Sequence, residues 1–132
     1  PEIISEAVSL ADRFERVSDF RSGLCALAIE PEAYYVLCAY SHAADCAALQ
    51  AVLDKSWAYA GMVGSRTKID SIFSQLRQKG YTNAQLSRVH TPIGLDLGGE
   101  TPAEIAVSIT GEMIYERACR REDPAHHACP MV

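Results

Sequence analysis

The centre of the chain reads Trp57-Ala58-Tyr59-Ala60-Gly61-Met62-Val63-Gly64-Ser65-Arg66. Residues 57–63 are a short apolar run, which is typical of a buried strand. Gly64 and the two polar residues after it end the run, and apolar residues then recur at helical spacing up to Lys79, with Gly80 as the C-cap. A buried strand that passes directly into a helix is a building unit of parallel α/β sheets.

A second apolar run, residues 34–40, lies upstream of this unit, after the break at residues 30–32. It is rich in β-forming residues, which predicts a parallel strand covered on both faces. The alanine-rich segment 43–53 that follows predicts a helix. Residues 1–20 have no periodicity that assigns them a structure.

Downstream of the central unit, two capping boxes mark helix starts, at Thr82 with Gln85 and at Thr101 with Glu104. The predicted segments are, in order, a helix over residues 82–88, a brief strand over 89–91, a glycine-rich loop over 92–100, a helix over 101–121 and a loose tail over 122–132. This alternation of strands and helices predicts an α/β fold, with a parallel sheet and helices on both of its faces.

Composition limits the classes of protein to consider. The chain has 132 residues, 48% hydrophobic and 22% charged, which suits one domain with its own core. No apolar stretch approaches the ~20 residues of a membrane span. The net charge of −5 argues against a general nucleic-acid binder. The five cysteines are an odd, scattered set, which favours free thiols in a reducing compartment, and we expect the cytoplasm.

Ligands of open α/β sheets bind at the carboxyl ends of the strands. At the end of the central strand, Gly64 allows close backbone approach, and Ser65 and Arg66 would complete an anion site with the N–H groups that open the next helix. Residues 55–90 carry six cations and one acid, which suits a phosphate ligand or a solvated helix face. The alternative is a plain strand-to-helix turn in which Ser65 is the N-cap.

The glycine-rich loop supplies a second group of candidate binding residues. Gly94, Gly98 and Gly99 favour close approach of the backbone to a ligand, and Asp96 is a candidate for contacts to hydroxyls or ring nitrogens. The alternative is a tight structural loop in which Asp96 caps its own backbone.

His42 follows the first predicted strand and is a candidate for ligand contact or proton transfer. It could equally be a histidine at a helix start, with Asp45 near the helix dipole. No residue is predicted to be catalytic. A metal site is not predicted either, because the spacing of the candidate ligands matches no standard zinc pattern; they are Cys119, His126, His127 and Cys129.

Three motifs occur in one order along the chain: residues 59–68, residues 92–98 and residues 101–109. Together they resemble the carboxyl-terminal domain of the XdhC/CoxI family of xanthine dehydrogenase accessory proteins. Residues 41–45 resemble that family's Thr-His…Asp element. Arg13-Phe14 resembles its Arg-Phe-Pro element, with Glu15 in place of proline.

The resemblance implies a Rossmann-like domain over residues 1–121 that binds the molybdenum cofactor (molybdopterin), a pterin that carries a phosphate. Family members hold this cofactor while a cysteine desulfurase supplies sulfur, and then deliver it to a molybdenum hydroxylase of the xanthine dehydrogenase type. The implied role is that of a chaperone rather than an enzyme. Two alternatives stay open: an NAD- or FAD-binding oxidoreductase domain, against which the missing glycine fingerprint counts, and an interaction module without a ligand.

The sequence departs from the family pattern at its start. The family's opening strand, Gly-x-Gly-His loop, helix and second strand have no match here, and no Gly-x-Gly occurs anywhere in the chain. The chain also begins at Pro1 rather than methionine. We therefore expect a fragment, or one half of a split protein, that lacks the opening β-α-β unit. The strand at residues 34–40 would then have an open edge, which predicts a homo-oligomer or pairing with the missing part.

Overall fold

A computed structural model of the chain describes residues 9–27, 29–39 and 41–121. The predicted tail, residues 122–132, therefore lies outside the described residues. The elements run in the order α1 (Phe20–Ala26), β1 (Tyr34–Leu37), α2 (His42–Leu53), β2 (Tyr59–Met62), α3 (Arg66–Gln78), α4 (Asn83–Leu86) and α5 (Pro102–Arg120).

The strands β1 and β2 are parallel, with Tyr35 opposite Ala60 and Leu37 opposite Met62. His90 continues the sheet beyond β2: its N–H donates to Ala60 O at 2.8 Å, and its carbonyl accepts from Met62 N at 3.2 Å. The brief strand predicted at residues 89–91 is thus a single parallel bridge. The α/β prediction is confirmed, with one helix, α2, between β1 and β2, and two helices, α3 and α4, between β2 and the bridge.

Helices lie on both faces of the sheet. The inward residues of β1 and β2 form one buried core with Leu49 and Val52 of α2 and Ile72 of α3. Side chains alternate along a strand, so Tyr59 points to the opposite face, where its hydroxyl contacts Glu112 of α5. The Rossmann-like arrangement predicted from the sequence is confirmed.

The prediction that the first strand is covered on both faces is wrong. Tyr34 is 37% exposed and Val36 is 43% exposed, while Tyr35 and Leu37 are buried. The strand also ends at Leu37, and Tyr40, its predicted last residue, lies outside the described residues. A continuous apolar run predicts burial on both faces, but α5 covers the second face beside β2 and leaves the β1 side exposed.

The helix ends follow from local side chains. Ser65, Thr82 and Thr101 are the N-caps of α3, α4 and α5, and the last two form complete capping boxes. Gly80 follows α3 with φ +103°, a conformation that glycine adopts without strain. The helix α1 was not predicted; Asp19 caps it by accepting from Ser22 N at 2.9 Å. None of the described helices is long and apolar enough to cross a membrane.

Candidate functional site

A cavity of ≈ 460 Å³ lies where β2 ends and the glycine-rich loop begins. Its walls come from the end of β2, from the loop, and from Ile105 and Ser108 of α5. Five predicted binding residues line it: Gly64, Gly94, Asp96, Gly98 and Gly99. The parallel sheet explains this meeting, because loops far apart in sequence leave from the same edge.

Three predicted residues do not line this cavity. Ser65 and Arg66 directly follow Gly64, which does, and Arg66 is exposed as the first residue of α3. His42 is the exposed first residue of α2, at the end of the neighbouring loop. The hydroxyl of Ser65 accepts from Lys68 N at 3.2 Å, so Ser65 is an N-cap whether or not it also contacts a ligand.

Gly64 serves a second purpose that the sequence did not reveal. A Cβ on Gly64 would lie 3.0 Å from Cδ of Lys68. The missing side chain therefore leaves space for the aliphatic part of Lys68, which folds back over the strand end. Lys68 is only 17% exposed there, and its Nζ forms an ion pair with Oδ2 of Asp45.

Asp45 is fully buried in the first turn of α2. Its Oδ1 accepts from Ala39 N at 2.9 Å, just after β1, while its Oδ2 pairs with Lys68 in the first turn of α3. One carboxylate thus connects the chain after β1 to the chain after β2. Sequence reasoning placed Asp45 near a helix dipole and missed the pair, although its spacing from Leu49 and Val52 already put it on the buried face of α2.

The first half of the glycine-rich loop packs against α5. Gly94 has φ +94°, and a Cβ there would lie 2.5 Å from Oγ of Ser108. The next residue, Leu95, donates its N–H to Ser108 O at 3.1 Å. Gly99 also packs on α5, since its Cβ would lie 2.7 Å from Cβ of Glu104. Part of the glycine content thus serves loop-to-helix packing, whereas a Cβ on Gly98 would meet nothing within 4 Å.

Glu112 of α5 lies beneath this loop. Its Oε1 accepts from the Tyr59 hydroxyl at 2.6 Å and from Gly94 N at 3.1 Å. Nδ1 of His90 is 3.5 Å from the same oxygen, and the His90 ring stacks on Tyr59 with centroids 4.7 Å apart. Burial, together with the hydrogen bond to Glu112, raises the pKa of the Tyr59 phenol. Sequence reasoning did not identify any of these three residues.

The start of α5 is already occupied by a carboxylate. Glu104 accepts from Thr101 N at 3.1 Å and from Glu100 N at 3.2 Å, and the Thr101 bond is the main reason that the pKa of Glu104 is lowered. A helix N-terminus attracts anions through free N–H groups and its dipole. Glu104 therefore places a negative charge in the first turn of α5, whereas the first turn of α3 contains no acidic residue.

The four cysteines among the described residues are free thiols, as predicted: Cys25, Cys38, Cys46 and Cys119. Within the same part of the chain, no group of three or more histidine, cysteine or acidic side chains is placed to hold a metal ion.

Comparison with known proteins identifies the family. A model of the XdhC Rossmann domain matches residues 4–113. The uncharacterized protein YqeB of Escherichia coli K12 is 30% identical over 114 residues, which are 86% of this chain and 20% of YqeB.

The fold also matches a solved structure. A crystal structure of a xanthine dehydrogenase from Bacillus halodurans superposes with a TM-score of 0.63 at 23% identity, over 86% of this chain and 31% of the other. The chain thus spans a fifth to a third of the length of these relatives. The family match, supported by this common fold, shows that the chain belongs to the XdhC family and carries its Rossmann domain.

Proposed function

We propose that the chain is the cofactor-binding domain of an accessory protein for molybdenum hydroxylases of the xanthine dehydrogenase type, and that its ligand is molybdopterin. The observation that carries this proposal is the cavity that gathers five predicted residues from two separate loops. Its ≈ 460 Å³ falls within the range of small-molecule sites, roughly 300–1,000 Å³.

The residues around the cavity suit a pterin that carries a phosphate. Val63, Ile93 and Ile105 provide apolar wall for a flat heterocycle. Asp96 is an exposed acceptor on the lining that can take hydrogen bonds from ring N–H and amino groups. Ser65 and Arg66 follow the lining residue Gly64 at the start of α3, where a phosphate would meet helix N–H groups and a guanidinium.

The chain's own part in this function is to bind and orient. The cofactor, when bound, supplies the molybdenum chemistry, as cofactors generally do for the proteins that hold them. We propose that a cysteine desulfurase and the recipient hydroxylase are the partners, the first as the source of sulfur and the second as the acceptor of the finished cofactor. On this proposal the protein is a maturation factor rather than an enzyme.

The open side of β1 supports a further expectation about assembly. Among the described residues, β1 pairs with β2 on one edge, and Tyr34 and Val36 expose apolar surface beside it. An unpaired strand with apolar surface favours association. We therefore expect a homo-oligomer or a complex with another part of the parent protein; light scattering that finds a stable single-chain species at micromolar concentration would contradict this.

The binding proposal is tested by titrating the purified protein with molybdopterin and following calorimetry or pterin fluorescence. Arg66→Ala should weaken binding by about 1.5–3 kcal/mol, because a charge-assisted hydrogen bond to the phosphate is lost. Ser65→Ala should weaken it less. Arg77→Ala, at the opposite end of α3, is the matched control and should bind like the wild type.

Two outcomes would contradict the proposal. Equal affinity of the wild type and the Arg66→Ala variant would remove the phosphate site from α3. Tighter binding of NAD than of molybdopterin would favour the alternative of a nucleotide-dependent oxidoreductase domain.

A further inference from the structure

Glu112 occupies an unusual position for a glutamate. It lies in the middle of α5, on the helix face that meets the sheet, and it is buried. A buried carboxylate must be satisfied by donors, because burial removes the water that would solvate it. The donors here belong to two different elements: the Tyr59 hydroxyl comes from β2, and Gly94 N comes from the glycine-rich loop.

The same oxygen accepts both hydrogen bonds. It therefore fixes the distance between the loop and β2, which form two walls of the candidate cavity. Tyr59 is itself held by stacking on His90, whose backbone N–H and C=O both form hydrogen bonds with β2. The carboxylate thus connects the loop to β2, which is paired with β1 on one edge and with His90 on the other.

Contacts are unevenly distributed along the loop. Gly94 and Leu95 are tied to α5 through Glu112 and Ser108, and both are half-buried. Residues 96–99 are all exposed. Since Asp96, Gly98 and Gly99 line the cavity, the part of the loop that would meet a ligand extends from the part that Glu112 holds.

We propose that Glu112 is a positioning residue: it anchors the loop at Gly94 and so sets the shape of the cavity. It does not touch the space where a ligand would lie, and it acts through Gly94. The statement about the loop stands on these contacts alone, whereas its consequence for ligand affinity rests on the proposed function.

Amide hydrogen exchange, followed residue by residue by NMR, tests the anchor directly. Glu112→Ala should raise the exchange rate of Gly94 N–H by about ten- to a hundred-fold, the effect of losing a hydrogen bond to a charged acceptor. Glu112→Gln keeps an acceptor without the charge and should raise it by a smaller factor, about two- to five-fold. Exchange at Ile72, in the buried face of α3, is the internal reference and should stay unchanged.

Glu116→Gln is the matched control variant. Glu116 lies one turn further along α5 and approaches Nε2 of His90 at 3.8 Å, so this change keeps the Gly94 bond intact and should leave Gly94 exchange as in the wild type. Unchanged Gly94 exchange in a folded Glu112→Ala protein would overturn the proposal. An equal rise at Gly94 and Ile72 would also overturn it, because it would mean general destabilisation; if Glu112→Ala does not fold, Glu112→Gln decides by the same criteria.

A second measurement separates this proposal from the proposed function. Molybdopterin affinity should fall about two- to five-fold in Glu112→Gln, in step with the exchange at Gly94, and should stay unchanged in Glu116→Gln. If exchange rises at Gly94 alone in the Glu112 variants but the wild type does not bind molybdopterin, the role of Glu112 as an anchor stands and the proposed ligand is refuted. Normal affinity in a Glu112→Gln protein whose loop exchanges faster would refute the effect on the cavity.

Discussion

Two buried carboxylates hold the loops at the candidate site, and they are satisfied in different ways. Asp45 pairs with a full positive charge on Lys68 and accepts one backbone N–H. Glu112 accepts from a phenol and a backbone N–H, with His90 at 3.5 Å. The comparison shows that an ion pair holds the carboxylate on the β1–β2 side of the site. Hydrogen bonds from uncharged donors, a phenol and a backbone N–H, hold the carboxylate on the loop side.

The largest effect should follow from removing the cation. Lys68→Met keeps the aliphatic packing over Gly64 but leaves Asp45 buried without its partner. Breaking a buried ion pair from one side typically costs about 3–5 kcal/mol. We expect a loss of that size in the free energy of unfolding, measured by urea denaturation near neutral pH.

Two further proteins test whether charge is the cause. Lys79→Met removes an exposed lysine at the other end of α3 and should change stability by less than about 0.5 kcal/mol. The double variant Asp45→Asn with Lys68→Met removes both charges and keeps an acceptor for Ala39 N. It should recover much of the loss, and a double variant as unstable as Lys68→Met would show that the pair is not held by charge.

The sequence predicted the elements whose signals are local. The N-caps Ser65, Thr82 and Thr101 contact N–H groups three residues away, so a linear pattern is enough to find them. The glycines that line the cavity could be placed at one edge of the sheet because the order of strands and helices predicts parallel strands, and loops that follow parallel strands meet at the same edge.

The two carboxylates could not be predicted in the same way. The partner of Glu112 on β2 is 53 residues away, and its other donor, Gly94 N, is backbone and leaves no trace in the residue types. One signal was available: Ile105, Ser108 and Glu112 follow helical spacing, which puts the glutamate on the inward face of α5. The exposed side of β1 was missed for a related reason, since strand composition does not reveal which neighbours pack on each face.

On the loop side, the next largest effect should come from Gly94→Ala. The left-handed conformation costs a non-glycine residue about 1–2 kcal/mol, and the new methyl group would meet Ser108 Oγ and the α5 backbone. Overpacking adds roughly 1 kcal/mol or more. We expect a total of about 2–4 kcal/mol in chemical denaturation, together with faster exchange at Leu95 N–H.

Gly98→Ala is the matched control for this substitution. Gly98 also has positive φ, +74°, but a Cβ there would meet nothing within 4 Å. Its cost should be the conformational part alone, about 1–2 kcal/mol. If the two variants are equally destabilised, the contact with α5 contributes nothing and the loop is not anchored at Gly94.

Alkaline pH offers a test of the phenol that Glu112 holds. The pKa of Tyr59 in the folded protein is raised above its ordinary value of 10.0, mainly by burial and then by the bond to Glu112. The folded state therefore keeps its proton longer than the unfolded state. The resulting stability is fully present below pH 10 and is lost as pH rises further, by up to about 1.4 kcal/mol per pH unit for this one group.

Denaturation at pH 8 and at pH 11 measures this slope. Tyr59→Phe should be less stable than the wild type at pH 8, because Glu112 loses a donor, but it should lose less stability between the two pH values. The same slope in both proteins would mean that Tyr59 ionises as easily in the folded state as in the unfolded one, and that its hydroxyl is not held by a buried carboxylate.

The smallest effect on stability should come from breaking the capping box of a third carboxylate, which accepts backbone N–H groups at an exposed position. Glu104 accepts from the N–H groups of Thr101 and Glu100, as Glu112 accepts from Gly94, but it is exposed at the start of α5. Water can replace an exposed acceptor, so loss of this capping box should be mild. Thr101→Ala removes the hydroxyl that accepts from Glu104 N at 3.1 Å and should cost about 1 kcal/mol.

Thr110→Ala is the control, because Thr110 is an exposed threonine in the middle of the same helix, where alanine is the better helix former. It should leave stability equal or slightly higher.

The capping carboxylate also predicts a pH effect of the opposite sign to that of Tyr59. The pKa of Glu104 is lowered from its ordinary value of 4.5, so the stabilisation by Glu104 is present above pH 4.5 and is lost as pH falls below it. Glu104→Gln should therefore flatten the stability profile in acid and leave the alkaline slope untouched. A loss of stability in Thr101→Ala as large as that in Gly94→Ala would mean that the exposed end of the loop is held as firmly as its buried end. The contrast between buried and exposed carboxylates would then fail.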